Sequence, residues 1–323
     1  MKFLWLLAYL PYCVIGYVLP LRARASPHTI PITHHRLSMY DKKQPNFREK
    51  LAGFGKIVRA RNILPTLFLS SVGGFIQKTL ATPQFAIRAA ITTLIMSTSM
   101  ILNDLFDIEV DRTNNPRRPL VTGEVTTPAA ISYSASMIVA IFLLSTRLPS
   151  PQLRAVTAGA IITITLYTPI LKRIPLIKNL ACASLVAFSL FFAGNSISSN
   201  PVLGLATQHL FVGSLYNELL LDMRDIDGDK ANHIYTIPVL FGNAFTLRLI
   251  RVLLTINAIT LCYRMGLRSI PILLCMTPLY TNLSEIRRSN FSPSIIFDSS
   301  KQASTYPLLL PFLYFCWLSR IYR

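Results

Sequence analysis

The sequence predicts an all-α, polytopic membrane protein. Two observations carry that expectation. Of the 323 residues, 52% are hydrophobic and only 14% charged, and the mean hydropathy is +0.46; a soluble domain of this size would carry about a quarter charged residues. Several apolar stretches also approach the ~20 residues that cross a bilayer. Lipid offers no partner for unpaired backbone groups, so such stretches are read as helices and strand content as negligible.

The chain opens with a segment that contains no Asp or Glu in its first 40 residues. An apolar run from Phe3 to Val18 is followed by the basic, hydroxyl-bearing "LRARASPHTIPITHHR". Together they read as a targeting leader over residues 1–45, of the bipartite kind that would suit a plastid reached through the secretory route. An extra N-terminal membrane helix is the alternative, although Pro11 and Pro20 punctuate the run. Residues 46–323 form one membrane domain, with candidate spans near 58–77, 85–103, 127–146, 152–171, 178–195, 202–222, 242–264, 269–283 and 304–320. The eighth is short, and the seventh contains Arg248 and Arg251.

With nine spans, the cation-rich connections after spans two, four and six share one face with the segment before span one. That asymmetry predicts that this face is cytoplasmic, or stromal or matrix in an organelle (plastid or mitochondrial inner) membrane. The formal net charge of +18 is explained by these flanks or by an anionic partner. Membrane lipid and a phosphorylated substrate fit; nucleic acid does not, because the basic residues punctuate apolar runs and form no stripe on a soluble domain. The five cysteines are scattered without a CxxC, and the five histidines lack ligand spacing, so His209 is expected to pack.

The fourteen acidic residues are few enough to place one by one. Asp104, Asp107, Glu109, Asp111 and Glu124 form one group, and Glu218, Asp222, Asp225, Asp227 and Asp229 another, each just after an apolar span. Helix ends of this polarity do not attract acids, because the dipole there is already negative. On a helix, Asn103, Asp107 and Asp111 share a face, as do Asp222, Asp225 and Asp229, while Asp227 points away. Gly228 is a place where the second window could unwind. Two facing stripes of carboxylates repel unless cations lie between them. Amide and carboxylate oxygens without His or Cys suit a hard ion, and Mg²⁺ is the usual one where phosphate completes its shell. Arg112, Arg117 and Arg118 follow the first window, Lys172 and Arg173 follow span four, and Lys230 follows the second window. Arg61 and Asn62 open span one on the same face. These bases can bind a diphosphate or serve simply as positive flanks.

These residues resemble a known family. "NDLFDIEVDRTNNPRRPLVTGEVT" and "YNELLLDMRDIDGDKANHIYTIPVLFG" are similar to the two signatures of the UbiA superfamily of intramembrane prenyltransferases, and "YTPILKR" to its intervening Tyr-and-Lys loop. The similarity covers roughly residues 50 to 320; Tyr167 and Lys172 stand five apart, a departure from the family's usual spacing. The resemblance implies helices ringed around a central cavity and an isoprenyl diphosphate held through Mg²⁺. It implies Asn103, Asp107, Asp111, Asp222, Asp225 and Asp229 as metal ligands, with Asp107, Asp111, Asp225 and Asp229 as catalytic carboxylates. Arg118 and Lys172, with Arg112, Lys230 and Arg61, would hold the diphosphate. The implied reaction moves a prenyl group to a small aromatic acceptor through an allylic cation. A terpene cyclase and a lipid-forming enzyme with a glyceryl acceptor would share both signatures. A cation-coupled transporter is the reading from another class, disfavoured by acids that sit at one face instead of mid-membrane.

Overall fold

The computed structural model describes residues 47–195, 200–231, 234–303 and 306–321. The leader over residues 1–45, and the organelle destination read from it, lie outside the described residues. In chain order the helices are α1 (Phe47–Ile57), α2 (Ile63–Ile76), α3 (Pro83–Phe106), α4 (Ile108–Asn114), α5 (Pro119–Thr122), α6 (Thr127–Ser145), α7 (Pro151–Tyr167), α8 (Ile177–Gly194), α9 (Pro201–Arg224), α10 (Ile226–Ala231), α11 (Ile237–Phe241), α12 (Asn243–Met265), α13 (Ile270–Arg288), α14 (Pro293–Ala303) and α15 (Tyr306–Leu318). No strand occurs among the described residues.

Four long helices start with the same local chemistry. Thr82, Thr126, Ser150 and Asn200 sit in extended conformation, and their side-chain oxygens accept from the backbone N–H of Phe85, Ala129, Leu153 and Val202. Each cap is followed within two residues by a proline, whose fixed φ suits the first turn and whose missing N–H would have been an orphan there.

Among the described residues, four stretches are long and apolar enough to cross a membrane: Pro83–Phe106, Thr127–Ser145, Ile177–Gly194 and Asn243–Arg288. The nine expected spans include segments that fall short of this measure. Helix α2 has 14 residues and α15 has 13, while α9 carries Glu218, Asp222 and Arg224. The two largest shifts of expected boundaries are in the eighth and first segments. The eighth segment, read as short, is a 19-residue helix ending at Arg288. The first starts at Ile63 and not at 58, because Arg59 takes a left-handed conformation (φ 49°, ψ 60°) that interrupts the chain after α1. Large apolar side chains such as Phe142, Ile162, Ile259, Tyr263 and Leu274 face outward, as a lipid-facing surface requires.

The bundle has two distinct ends. At one end, the C-termini of α3 and α9 and the start of α8 surround a cavity. At the other, the end of α2, the start of α9 and the end of α15 meet: Asn200 N donates to Gln77 Oε1 at 3.2 Å and Asn200 Nδ2 to Ser319 O at 3.4 Å. Helices α2 and α8 cross almost backbone to backbone. A Cβ on Gly73 would lie 2.1 Å from Leu190 O, and one on Gly194 would lie 2.6 Å from Gly73 O. Only hydrogen fits at either position, and this crossing fixes α8, whose first turn carries Lys178 and Asn179.

Gly73→Ala should therefore destabilise the protein by about 1–3 kcal/mol or more through overpacking, whereas Gly159→Ala, which meets nothing within 4 Å, should be neutral or stabilising. Thermal inactivation in detergent, followed by the fraction that remains monodisperse, checks the contrast.

Candidate functional site

The two acid windows adopt the same local structure. Helix α3 stops at Phe106, and Asp107 stands between α3 and α4 with φ −95°, ψ 9°. Helix α9 stops at Arg224, and Asp225 stands between α9 and α10 with φ −93°, ψ 9°. Both aspartates occupy the sparsely populated bridge region, where residue conformation is held by its surroundings. The break in the second window is thus at Asp225, while Gly228, the expected place for unwinding, lies inside α10. The i→i+4 ladder runs through both breaks: Asp107 N bonds Asn103 O at 3.0 Å and Asp111 N bonds Asp107 O at 2.7 Å, matched by Asp225 N to Leu221 O at 3.1 Å and Asp229 N to Asp225 O at 2.9 Å. Helical register therefore survives, and the face argument with it.

Asn103, Asp107, Asp111, Asp222, Asp225 and Asp229 all line one cavity of about 320 Å³. Glu109 and Asp227 do not line it, and both are exposed. Deeper in, Ile95, Met96, Ile164, Leu185, Val186 and Phe188 make its walls largely apolar.

Four of the cavity carboxylates meet a cation or an amide. Lys172 Nζ donates to Asp107 Oδ2, and Arg224 donates twice to Asp225 at 2.8 Å. Asp222 accepts from Lys178 Nζ and, at 2.9 Å, from Asn179 Nδ2. Asp111 accepts from Asn115 Nδ2 at 2.7 Å and lies 3.8 Å from Arg118 Nε. Asp104, almost fully buried behind the cavity, accepts from Arg118 Nη1 at 2.7 Å and Arg59 Nη2 at 3.3 Å, holding both guanidinium groups at the wall. Burial first, and then the nearby Arg118, draws the Arg59 pKa below its ordinary value, while Asp104 opposes the shift. Charge-assisted contacts of this kind are the strong ones in a site of low dielectric.

The sequence expectation for the bases needs correction. Arg118 and Lys172 line the cavity, but Arg61, Arg112 and Lys230 are exposed and do not. Arg112 instead pairs with Glu109 on the surface at 3.4 Å. The exposed Arg117 and Arg173 also lie off the wall. Arg59, Lys178 and Arg224 take those places. Helical spacing contained part of this signal: Lys178 opens α8 opposite Asp222, and Arg224 lies within the second window. The left-handed turn that aims Arg59 inward has no sequence mark. Tyr167 and Cys182, joined by a 3.1 Å hydrogen bond, also line the cavity, as does Glu218, one turn inside Asp222. His209 packs as expected, buried against Asn257 and edge-on to Phe312.

Among the described residues, no three His, Cys, Asp or Glu side chains converge closely enough to hold a metal by themselves. The donor set nevertheless fits Mg²⁺. That ion commonly takes one or two carboxylates, keeps several waters and completes its shell with substrate phosphate. Two oxygen-rich stripes facing across a cavity supply such partial shells.

The chain is similar to proteins of known kind over most of its length. The digeranylgeranylglyceryl phosphate synthase of Natronomonas pharaonis is 25% identical over 272 residues, covering 82% of this chain and 97% of that protein. The synthase of the same name from Methanoculleus marisnigri is 29% identical over 197 residues, or 59% and 69% of the two chains. Among solved structures, one from work on digeranylgeranylglyceryl phosphate synthase in membranes matches with a TM-score of 0.72 at 19% identity, covering 84% of this chain and 99% of that one. A UbiA homologue from Archaeoglobus fulgidus bound to GPP and Mg²⁺ matches with a TM-score of 0.60 at 22% identity, covering 83% and 99%. Residues 63–289 match the model of the UbiA prenyltransferase family, and the chain belongs to that family.

Proposed function

We propose that the protein moves an isoprenyl group from a prenyl diphosphate to an acceptor inside the membrane, with Mg²⁺ as cofactor. The observation that carries this reading is the pair of matched acid windows opening on one cavity whose floor is apolar. Asn103, Asp107 and Asp111 on one side, and Asp222, Asp225 and Asp229 on the other, would hold the ions. Bound Mg²⁺ would stabilise the negative charge that develops on the leaving diphosphate. Arg118, Lys172, Arg59 and Lys178 add fixed positive charge at the same place.

The allylic C–O bond breaks with its electron pair going to the diphosphate. The acceptor forms the new bond to the same carbon and loses a proton. Ile95, Met96, Leu185, Val186 and Phe188 keep water from capturing the allylic cation. The lining residues of α3 and its C-cap run from Thr92 to Asp107, about 22 Å along the axis at the usual helical rise. That length accommodates an extended chain of several isoprene units. On this reading the acid-rich end faces the side that carries the cation-rich connections, the cytoplasmic side in the positive-inside pattern.

The relatives favour a lipid acceptor. Their name describes a glyceryl phosphate bearing two geranylgeranyl groups, so the corresponding acceptor is the singly prenylated glyceryl phosphate. The five basic side chains on the cavity wall can serve two phosphate-bearing groups. The small aromatic acceptor expected from the sequence has no comparable support.

Three outcomes test this reading. Asp107→Ala and Asp225→Ala should each lower turnover by roughly a hundredfold or more in vesicles with saturating Mg²⁺, while Glu109→Gln and Asp227→Asn stay near wild type; equal losses in all four would remove the cavity stripes from the chemistry. Lys172→Met should raise the KM for prenyl diphosphate by roughly tenfold or more, whereas Arg112→Gln should leave it unchanged, as initial rates across a substrate series would show. Diphosphate release should be slow with prenyl diphosphate alone and rise sharply when singly prenylated glyceryl phosphate is added. A rise with hydroxybenzoate or homogentisate instead would restore the aromatic acceptor. Full-rate release with no acceptor, together with a cyclic terpene, would identify a cyclase.

A further inference from the structure

Among the described residues, the end of the bundle away from the cavity carries cations and no Asp or Glu. No Asp or Glu occurs in residues 63–103, 125–217, 230–284 or 299–323, which supply the helix ends there. Lys78, Arg88, Arg147, Arg154, Arg264 and Arg320 all lie at that end.

Arg88 is the unusual one. It lies in the second turn of α3, is only 3% exposed, and its Nε has no hydrogen-bond partner. Among the described residues its side chain forms no ion pair or hydrogen bond, while its backbone carbonyl accepts from Thr92 Oγ1. A buried guanidinium without a partner is costly, and one near a membrane surface is normally paired or directed at an anion.

Its neighbourhood is arranged for an anion. Gln84, one turn earlier on the same face of α3, donates to Arg147 O at 3.3 Å and so ties the start of α3 to the α6–α7 turn. In that turn Arg154 Nε donates to Leu148 O at 3.4 Å. Arg147 and Arg154 are both exposed. Helices α3 and α7, of 24 and 17 residues, both begin here, capped by Thr82 and Ser150. Two positive dipole ends, one buried guanidinium and two exposed ones thus share a corner with no acid.

We propose that this corner binds the headgroup phosphate of an anionic phospholipid in the adjoining leaflet, with Arg88 as the inner contact and Arg147 and Arg154 flanking it. Arginine forks match phosphate oxygens in pairs. Lipid phosphate is the anion present at this depth, and a net negative headgroup is what an acid-free cationic corner selects. The site lies one turn of α3 beyond Thr92, where the cavity lining ends, and does not depend on the reaction assigned to the cavity.

The test is native mass spectrometry of the full chain, released from detergent after incubation with equal amounts of phosphatidylglycerol and phosphatidylcholine. Phosphatidylglycerol should be retained in preference. Arg147→Gln with Arg154→Gln should lower its retention by roughly fivefold per arginine removed, and Arg88→Gln should lower it as well. The double variant changes only exposed side chains, so it decides the matter if Arg88→Gln fails to fold. Equal retention of the two lipids, retention unchanged in the double variant, or displacement of the lipid by millimolar inorganic phosphate would each overturn the proposal.

Discussion

Carboxylates crowded at the C-terminal ends of two helices are opposed by three forces: one another, the helix dipoles and the surrounding low dielectric. The structure meets that constraint by bringing cations and amides from elsewhere in the chain. Lys172 comes from the loop after α7, Lys178 and Asn179 from the first turn of α8, Arg118 from the segment between α4 and α5, and Arg59 from the turn before α2. Even the glycine crossing of α2 and α8 serves this end, because it fixes the helix that presents Lys178. The positions of four elements follow from the need to neutralise two windows of acid.

The two windows are variants of one device. "DLFDIEVD" and "DMRDIDGD" align Asp104 with Asp222, Asp107 with Asp225 and Asp111 with Asp229. The structure gives the members of each pair matching surroundings. Asp104 and Asp222 are both buried and each holds two donors from other segments. Asp107 and Asp225 both sit at the helix break with almost the same dihedral angles. Asp111 and Asp229 follow one turn later, both buried. On this alignment Asn103 has Leu221 as its counterpart, while Asp222 lines the cavity and Asp104 lies behind it, so each side presents three oxygen-bearing residues from partly different positions. The first side has an amide at the position where the second is apolar.

Much of this was legible in the sequence because it rests on local periodicity. Apolar run length marked the long helices, and a repeat of four residues placed Asn103, Asp107 and Asp111 on one side. The prediction survived the helix break because the i→i+4 ladder continues through it. What was not legible depends on backbone conformation or on contacts distant in sequence. Arg61 follows Arg59 by two residues, and nothing in their types distinguishes them. The left-handed conformation at Arg59 sends that side chain to Asp104 and leaves Arg61 outside. Arg112 is next to a cavity aspartate in sequence, yet one residue along a helix is about 100° around it, and it pairs with Glu109 instead. Proximity in sequence to the acids was thus a poor guide to which bases reach them; the side of the helix was a better one.

The same accounting of charge separates the two ends of the molecule. At the cavity end the buried Asp104, Asp111 and Asp222 each have a protein donor, and the cations there are largely committed to acids. An anionic substrate entering that end must therefore share or displace existing ion pairs, which favours a ligand that brings its own divalent cations. At the other end the helix termini around Arg88, Arg147 and Arg154 contain no Asp or Glu, and the buried Nε of Arg88 has no hydrogen-bond partner. An anion reaching Arg88 gains its attraction without displacing a carboxylate. One sequence thus provides a cavity end suited to a metal-accompanied diphosphate and an opposite end suited to a bare anionic headgroup, and the difference follows from where fourteen acidic residues were placed.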